Sequence, residues 1–138
     1  MPSQTHQALL LWTARKMARD GFRIIGLDGV CEQAGLWNYT PAPPSLFDTR
    51  PDVVGINING IYALGEAKTA EDIDCFHTRQ QLSVFAELTT HNCRLYVAIP
   101  RSAVAALDRV LADLHLVGNK LVVRLHIPDI LVMEEEFV

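Results

Sequence analysis

Glu66 and Lys68 close a run that is otherwise apolar at Ile61, Ala63 and Leu64, and charges in such a place need a reason. Side chains alternate along an extended strand, so positions 66 and 68 point to one face, side by side. Half-buried charges are costly unless they are paired or bind a metal. Upstream, Asp52 opens a second apolar run, and Asn59-Gly60 lies between the two as a turn signal. If Asp52 and Glu66 converge, their carboxylates can hold a hard divalent cation such as Mg²⁺, with Mn²⁺ as a substitute. Such an ion prefers oxygen ligands and keeps several waters; the Ala67 carbonyl is a further candidate ligand. It would polarise a phosphate oxygen and lower the pKa of a bound water. Lys68 beside it would position the attacking water, stabilise transition-state charge, or act as the base if the site lowers its pKa.

Whether Asp52 joins the other two depends on the turn. A strict two-residue loop at Asn59-Gly60 pairs Ile58 with Ile61 and sets Asp52 opposite Ala67, on the wrong face. A three-residue loop, Ile58-Asn59-Gly60 with Gly60 left-handed, pairs Asn57 with Ile61 and sets Asp52 opposite Glu66. A shift of one residue swaps every face. The metal-site hypothesis therefore requires three-residue parity, or a bulge that restores it.

The elements that must position these residues follow from periodicity and punctuation. Residues 4–19 read as an amphipathic helix with Ala8, Leu11, Trp12 and Arg15 on one face and Gly21 as a stop. Phe22–Leu27 reads as a strand, and residues 28–50, with Gly29, Gly35, Pro41, Pro43 and Pro44, as a long loop. Asp52–Ile58 and Ile61–Lys68 form a hairpin. A helix over 76–90 follows, touching the core with Leu82, Phe85, Ala86 and Leu88. Arg94–Ile99 is a strand stopped by Pro100. Ser102 caps a helix over 103–115, and Lys120–His126 is the last strand. The strand–helix–strand–helix–strand run implies parallel pairing through crossovers, and the hairpin adds antiparallel pairing. The simplest architecture is a mixed sheet with helices on both faces.

A chain of 138 residues, 49% apolar and 20% charged, reads as one globular domain over 1–138. The net charge of −4 counts against simple long-range attraction to nucleic acid, though bound cations and a local basic patch can change the field where it matters. Cys31, Cys75 and Cys93 lack the close spacing of a zinc site and read as thiols in a reducing compartment. The first residues lack a signal-peptide pattern and no run is long enough to span a membrane, so the expectation is a cytoplasmic protein with no membrane partner.

The segment from Pro51 to Lys68 resembles the PD-(D/E)XK, or restriction-endonuclease-like, nuclease superfamily. Pro51-Asp52 looks like its first motif half and Glu66-Ala67-Lys68 like its second, and the element order over residues 4–126 is similar to that fold's core. The resemblance implies an α/β fold, three-layer α/β/α around a central mixed sheet. It implies a Mg²⁺-dependent nuclease that hydrolyses phosphodiester bonds in nucleic acid, with DNA favoured over RNA and the choice between them left open. Asp52 and Glu66 would be metal ligands and Lys68 would assist the nucleophile. Small members, similar in size to Holliday junction resolvase-like and VRR-NUC-like nucleases, often act as homodimers. Gln81-Leu-Ser-Val-Phe85 is similar to the Gln-x-x-x-Tyr pattern of RecB-like branches, which implies Gln81 beside the metal cluster; the other reading is a surface glutamine over a core Phe85. Many members bring a glutamate from the first helix. Here Gln4-Thr-His6-Gln7 has no acid, and His6 or Gln7 takes that place. This departure, with the negative charge, keeps a second reading open: a catalytically silent module that binds nucleic acid or protein within a larger defence, repair or mobile-element complex.

Other candidates have two readings each. Glu71, Asp72 and Asp74 are solvated charges or auxiliary metal ligands, and His77 and Arg79 are surface residues or phosphate contacts. His91, His115 and His126 share no ligand spacing. Arg15, Lys16, Arg19 and Arg23 are a solvated helix face or a phosphate-contact face. Trp37 and Tyr39 pack under the long loop or stack on bases. Glu134, Glu135 and Glu136 read as a solvated acidic tail.

Overall fold

A computed structural model describes residues 3–29, 37 and 40–132. Cys31, Gly35, Tyr39 and the three tail glutamates lie outside the described residues. The elements are α1 (Gln4–Arg19), β1 (Arg23–Leu27), β2 (Val53–Ile56), β3 (Tyr62–Ala67), α2 (Phe76–Leu88), β4 (Arg94–Pro100), α3 (Val104–Asp113) and β5 (Val122–Ile127). The five strands lie in sequence order in one sheet. β1–β2 and β2–β3 are antiparallel, and β3–β4 and β4–β5 are parallel. α1 packs on one face; α2 and α3, the two crossovers, pack on the other. The fold is thus the expected α/β mixed sheet with helices on both sides. Among the described residues no helix is long and apolar enough to cross a membrane.

α1 lies on the sheet in a rotation that differs from the expected one. Leu9, Leu10, Thr13, Ala14 and Met17 are buried; of the expected face Leu11 is buried as well, whereas Ala8 and Trp12 are only partly covered and Arg15 is exposed. Residues 9, 10 and 11 are all leucine and all buried, so they do not distinguish one rotation from another. The sheet decides instead. Gly65 and Gly55 leave flat ground under the helix: a Cβ on Gly65 would lie 2.7 Å from Thr13 Cγ2 and 3.1 Å from Met17 Sδ, and one on Gly55 would lie 3.2 Å from Met17 Cε. Thr13 is accepted in the core because its hydroxyl donates to the Leu9 carbonyl at 2.7 Å. Gly65→Ala should therefore lift α1 and lower stability by about 1–3 kcal/mol, the usual cost of overpacking. A urea titration measures it, and an unchanged midpoint would mean that α1 gives way freely.

α3 starts differently from expectation. A 3-10 turn, Arg101–Ala103, comes directly after Pro100, and Ala103 at the helix boundary makes no side-chain capping bond. Ser102 lies inside that turn and does not cap the helix. Its own N–H is the group that needs an acceptor, and Asp129 Oδ1, beyond β5, supplies one at 2.9 Å.

The ends of α1 and β4 are joined by Asp20. It accepts from Tyr96 Oη at 2.6 Å and from Lys16 Nζ at 3.0 Å. Burial pushes the Asp20 carboxyl up, but these donors outweigh it and hold the group below its ordinary range, while burial and the Asp20 bond push the Tyr96 hydroxyl up to about 12. A depressed carboxyl stabilises the fold above its unfolded pKa and loses that contribution as pH falls through the lower folded value. Asp20→Asn should accordingly make stability less steep with pH on the acid side, measured as urea midpoints from neutral pH downward. An unchanged slope would remove Asp20 from the account of acid unfolding.

Candidate active site

The hairpin turn has three residues. Asn57 N–H donates to the Ile61 carbonyl at 3.0 Å and Gly60 N–H to the Asn57 carbonyl at 3.0 Å. Asn57 Oδ1 accepts from the Asn59 and Ile61 N–H groups, each at 2.9 Å. Gly60 has φ +77°, a left-handed conformation that suits glycine. The ladder then runs from Ile56↔Tyr62 to Val53↔Gly65, and its next step sets Asp52 opposite Glu66. This is the parity that convergence of the two carboxylates requires.

Main-chain groups lock the pair. Asp52 N–H donates both to the Gly65 carbonyl at 3.0 Å and to Glu66 Oε1 at 3.2 Å. Ala67 N–H donates to Asp52 Oδ2 at 2.8 Å. Each carboxylate is thus held by the backbone of the opposite strand. Glu66 is 1% exposed and Asp52 8%. Lys68 Nζ lies 3.6 Å from Glu66 Oε2 and donates to Gln81 Oε1 at 2.5 Å. Gln81 is buried on α2, facing the site and not solvent, so the surface reading of this residue does not hold. α2 is set in place one turn earlier: Cys75 Sγ accepts from Thr78 N–H at its start, and the buried Thr78 hydroxyl donates to the Asp72 carbonyl.

α1 contributes His6. Its Nε2 lies 3.4 Å from Asp52 Oδ2, while Nδ1 is buried with no hydrogen-bond partner among the described residues. Of the two residues weighed for the place of the missing helix acid, His6 is the one that reaches Asp52. Nothing in the letters His6-Gln7 selects it; the choice follows from the rotation of α1 on the sheet.

The electrostatics are those of crowded anions. Burial, then the Asp52 charge, push the Glu66 carboxyl well above its ordinary range, against the pull of Lys68 and the Asp52 N–H. The hydrogen bond to Asp52 raises the His6 imidazole, outweighing burial. Among the described residues no group of three or more His, Cys, Asp or Glu side chains is arranged to hold a metal ion. What the site offers is a pair of buried, mutually repelling carboxylates and an unsatisfied imidazole nitrogen. That donor set fits an oxygen-seeking ion that keeps several waters, such as Mg²⁺, better than an ion caged by protein.

The remaining candidates are elsewhere engaged. Asp74 pairs with Arg79 at 2.9 Å and faces Arg109 at 3.8 Å, and Asp72 Oδ2 accepts from Thr69 at 3.1 Å. Arg79 also reaches Asp113 of α3 at 2.7 Å, tying the two crossover helices together. Glu71 and His77 are exposed. In the basic cluster Lys16 is paired with Asp20, and Arg15 lies over the Trp12 ring at 5.3 Å. These residues sit nine or more positions along α1 from His6, about 14 Å or more at 1.5 Å per residue, toward the pole opposite the site. Trp37 packs against the core on the α1 side.

No protein-family model matches the chain, and no curated protein matches it. A solved structure, a repair endonuclease from Pyrococcus abyssi, is similar over 93% of this chain and 48% of its own, with 14% identity and a TM-score of 0.46. The chain spans about half the length of that protein.

Proposed function

We propose that this chain is a metal-dependent nuclease that hydrolyses phosphodiester bonds in DNA. The observation that carries the reading is the pairing of Asp52 with Glu66 across the hairpin, both buried, with Lys68 two residues on and on the same face. The Pro51-Asp52 and Glu66-Ala67-Lys68 motifs and the order of elements support it. Asp52 and Glu66 would hold Mg²⁺ or Mn²⁺, with the Ala67 carbonyl as a further ligand. Such an ion, when bound, supplies Lewis-acid polarisation of a phosphate oxygen and an acidified water.

The side chains around it divide the remaining work. Lys68 places an ammonium where charge grows on the phosphate, in a site with little water to screen it. Gln81 is a positioning residue: it accepts from Lys68 Nζ and holds the ammonium toward Glu66. His6 steadies Asp52 from the α1 side. In this reading the protein acts as a cytoplasmic homodimer, an arrangement common among the small members it resembles, which would bring two sites to two strands.

Labelled plasmid and branched DNA, incubated with Mg²⁺ or Mn²⁺ and compared with chelator and with Asp52→Asn, test the proposal. Cleavage should need the metal and should vanish in the variant. Absence of metal-dependent cleavage on every substrate would sink the enzyme reading. The silent binding module would then stand, favoured by the lack of a carboxylate in residues 4–7 of α1.

A further inference from the structure

The face of the sheet that bears the site also bears an apolar cleft. Strand alternation and the hairpin register put Glu66, Leu64 and Tyr62 in one line on the α2 side, with Asp52 opposite Glu66 and Val54 opposite Leu64. Val54 and Leu64 form the floor of a cleft of about 440 Å³. Pro44 and Leu46, from the segment before β2, and Leu88, near the end of α2, enclose it. Tyr62 lines it with half of its surface (49%) exposed. The floor gives way to the carboxylates within one two-residue step of β3, roughly 6.7 Å. The cleft and the site therefore lie on one face of the sheet, neighbours along β3.

Its chemistry suits a flat ring with polar edges. The walls are apolar, and His91 and Asn92 add a few polar groups to the lining. Clefts of this volume, mostly apolar with a few polar groups, hold ligands of small-molecule size, a class that includes a nucleobase, and unstacked bases are held by aromatic faces and by hydrogen bonds to their edges. The charge of the protein points the same way. The chain carries a net −4. Six of the twelve Lys and Arg side chains, Lys16, Arg50, Lys68, Arg79, Arg109 and Arg124, face a carboxylate, which leaves six for phosphate. Affinity for DNA drawn mainly from phosphates needs an excess of free cations. Contact with bases does not.

We propose that this cleft takes an unpaired nucleobase of the DNA strand whose phosphate lies at Asp52 and Glu66, with Tyr62 as the stacking platform. The inference rests on the nuclease reading and names its substrate: single-stranded or frayed DNA in preference to closed duplex. A base inside a duplex is stacked on both sides and has no free face to offer, so only an extruded or unpaired nucleotide can enter.

The test is binding in chelator, where no cleavage can occur. A labelled single strand and a blunt duplex of the same sequence are titrated with wild type, Tyr62→Phe and Tyr62→Ala, and oligomeric state is followed by sedimentation. A second series carries one abasic residue at each position of the single strand, which perturbs the ligand and leaves the fold untouched. Wild type and Tyr62→Phe should prefer the single strand, and Tyr62→Ala should lose about tenfold for that strand alone, a typical alanine effect on base stacking. One abasic position should cost wild type a similar factor and cost Tyr62→Ala little more. Equal affinity for strand and duplex, or no effect of Tyr62→Ala, overturns the proposal. So does a Tyr62→Ala variant that dissociates a dimer while binding DNA unchanged, which would make the cleft an interface between copies. If wild type still cleaves duplex with Mg²⁺ in any of these cases, the nuclease reading survives and only the cleft assignment falls. If no DNA is bound or cleaved, both fall.

Discussion

Glu66→Gln is expected to raise the melting temperature of the metal-free protein at neutral pH and to remove the further rise that Mg²⁺ gives wild type. The Glu66 carboxyl is 1% exposed, and burial and the Asp52 charge push its pKa well up despite Lys68. A carboxyl raised in the folded state contributes its full stability below the unfolded pKa and loses it as pH rises through the folded value. At neutral pH the fold thus bears the cost of a buried anion. Glutamine removes the charge, keeps the volume and still accepts from Asp52 N–H. A gain of about 1 kcal/mol would move the melting temperature by roughly 3–5 °C in a domain of this size. Wild type should gain from added Mg²⁺ by linkage, about 2.7 kcal/mol at a hundred times its dissociation constant, and the variant should gain nothing. Thermal unfolding in chelator and across a Mg²⁺ titration reads both arms. A metal-free variant less stable than wild type would show that Lys68 fully compensates Glu66, and the site would then be an ordinary ion pair.

Lys68→Ala should slow metal-dependent cleavage by a factor of about 10²–10³, the range seen when one preorganised electrostatic group is deleted from an active site. It should not weaken metal binding, because the ammonium that competes with the ion for the Glu66 carboxylate is gone. Lys68→Arg should not restore the rate. A planar guanidinium is larger than an ammonium and presents its donors in a fixed fork, in a place where the Lys68 side chain is 12% exposed and its Nζ is held between Glu66 and Gln81. Single-turnover rates on a labelled strand, with metal affinity measured separately by titration, separate the two effects. Rates within a few-fold of wild type for Lys68→Ala would remove it from the chemistry and leave a structural pair.

Some of this arrangement is legible in the amino-acid order and some is not. Glu66 and Lys68 share a face by alternation alone, and the order of helices and strands follows from periodicity with punctuation by Gly21, Asn59-Gly60 and Pro100. Asp52 joins them only through the parity of the turn, and both parities suit Asn-Gly. The Asn57 side chain, which accepts two N–H groups of the loop, favours the three-residue form, and that acceptor role becomes visible only in three dimensions. The rotation of α1 was hidden because leucines 9–11 fit any face; glycines on two strands far away in the chain select it. His6 was one of two candidates for the same reason. The start of α3 depends on Asp129, beyond the last strand, and no local pattern around Ser102 reports it. Local rules succeed where a residue's neighbours in sequence are its neighbours in space.

The three-residue turn has a genetic consequence. Ile58, Asn59 and Gly60 lie at the pole of the sheet away from the carboxylates, and the pairing of Asn57 with Ile61 around them sets Asp52 opposite Glu66. Loss of the Ile58 codon would leave Asn59-Gly60 as a two-residue loop between the same flanking pair and keep the phase of β2 against β3. Loss or gain of one codon within β2 or β3, between the turn and the carboxylates, would shift one strand by one residue and disarm the site with every one of its residues intact. Length changes should therefore be tolerated at the turn and silence the protein inside the strands.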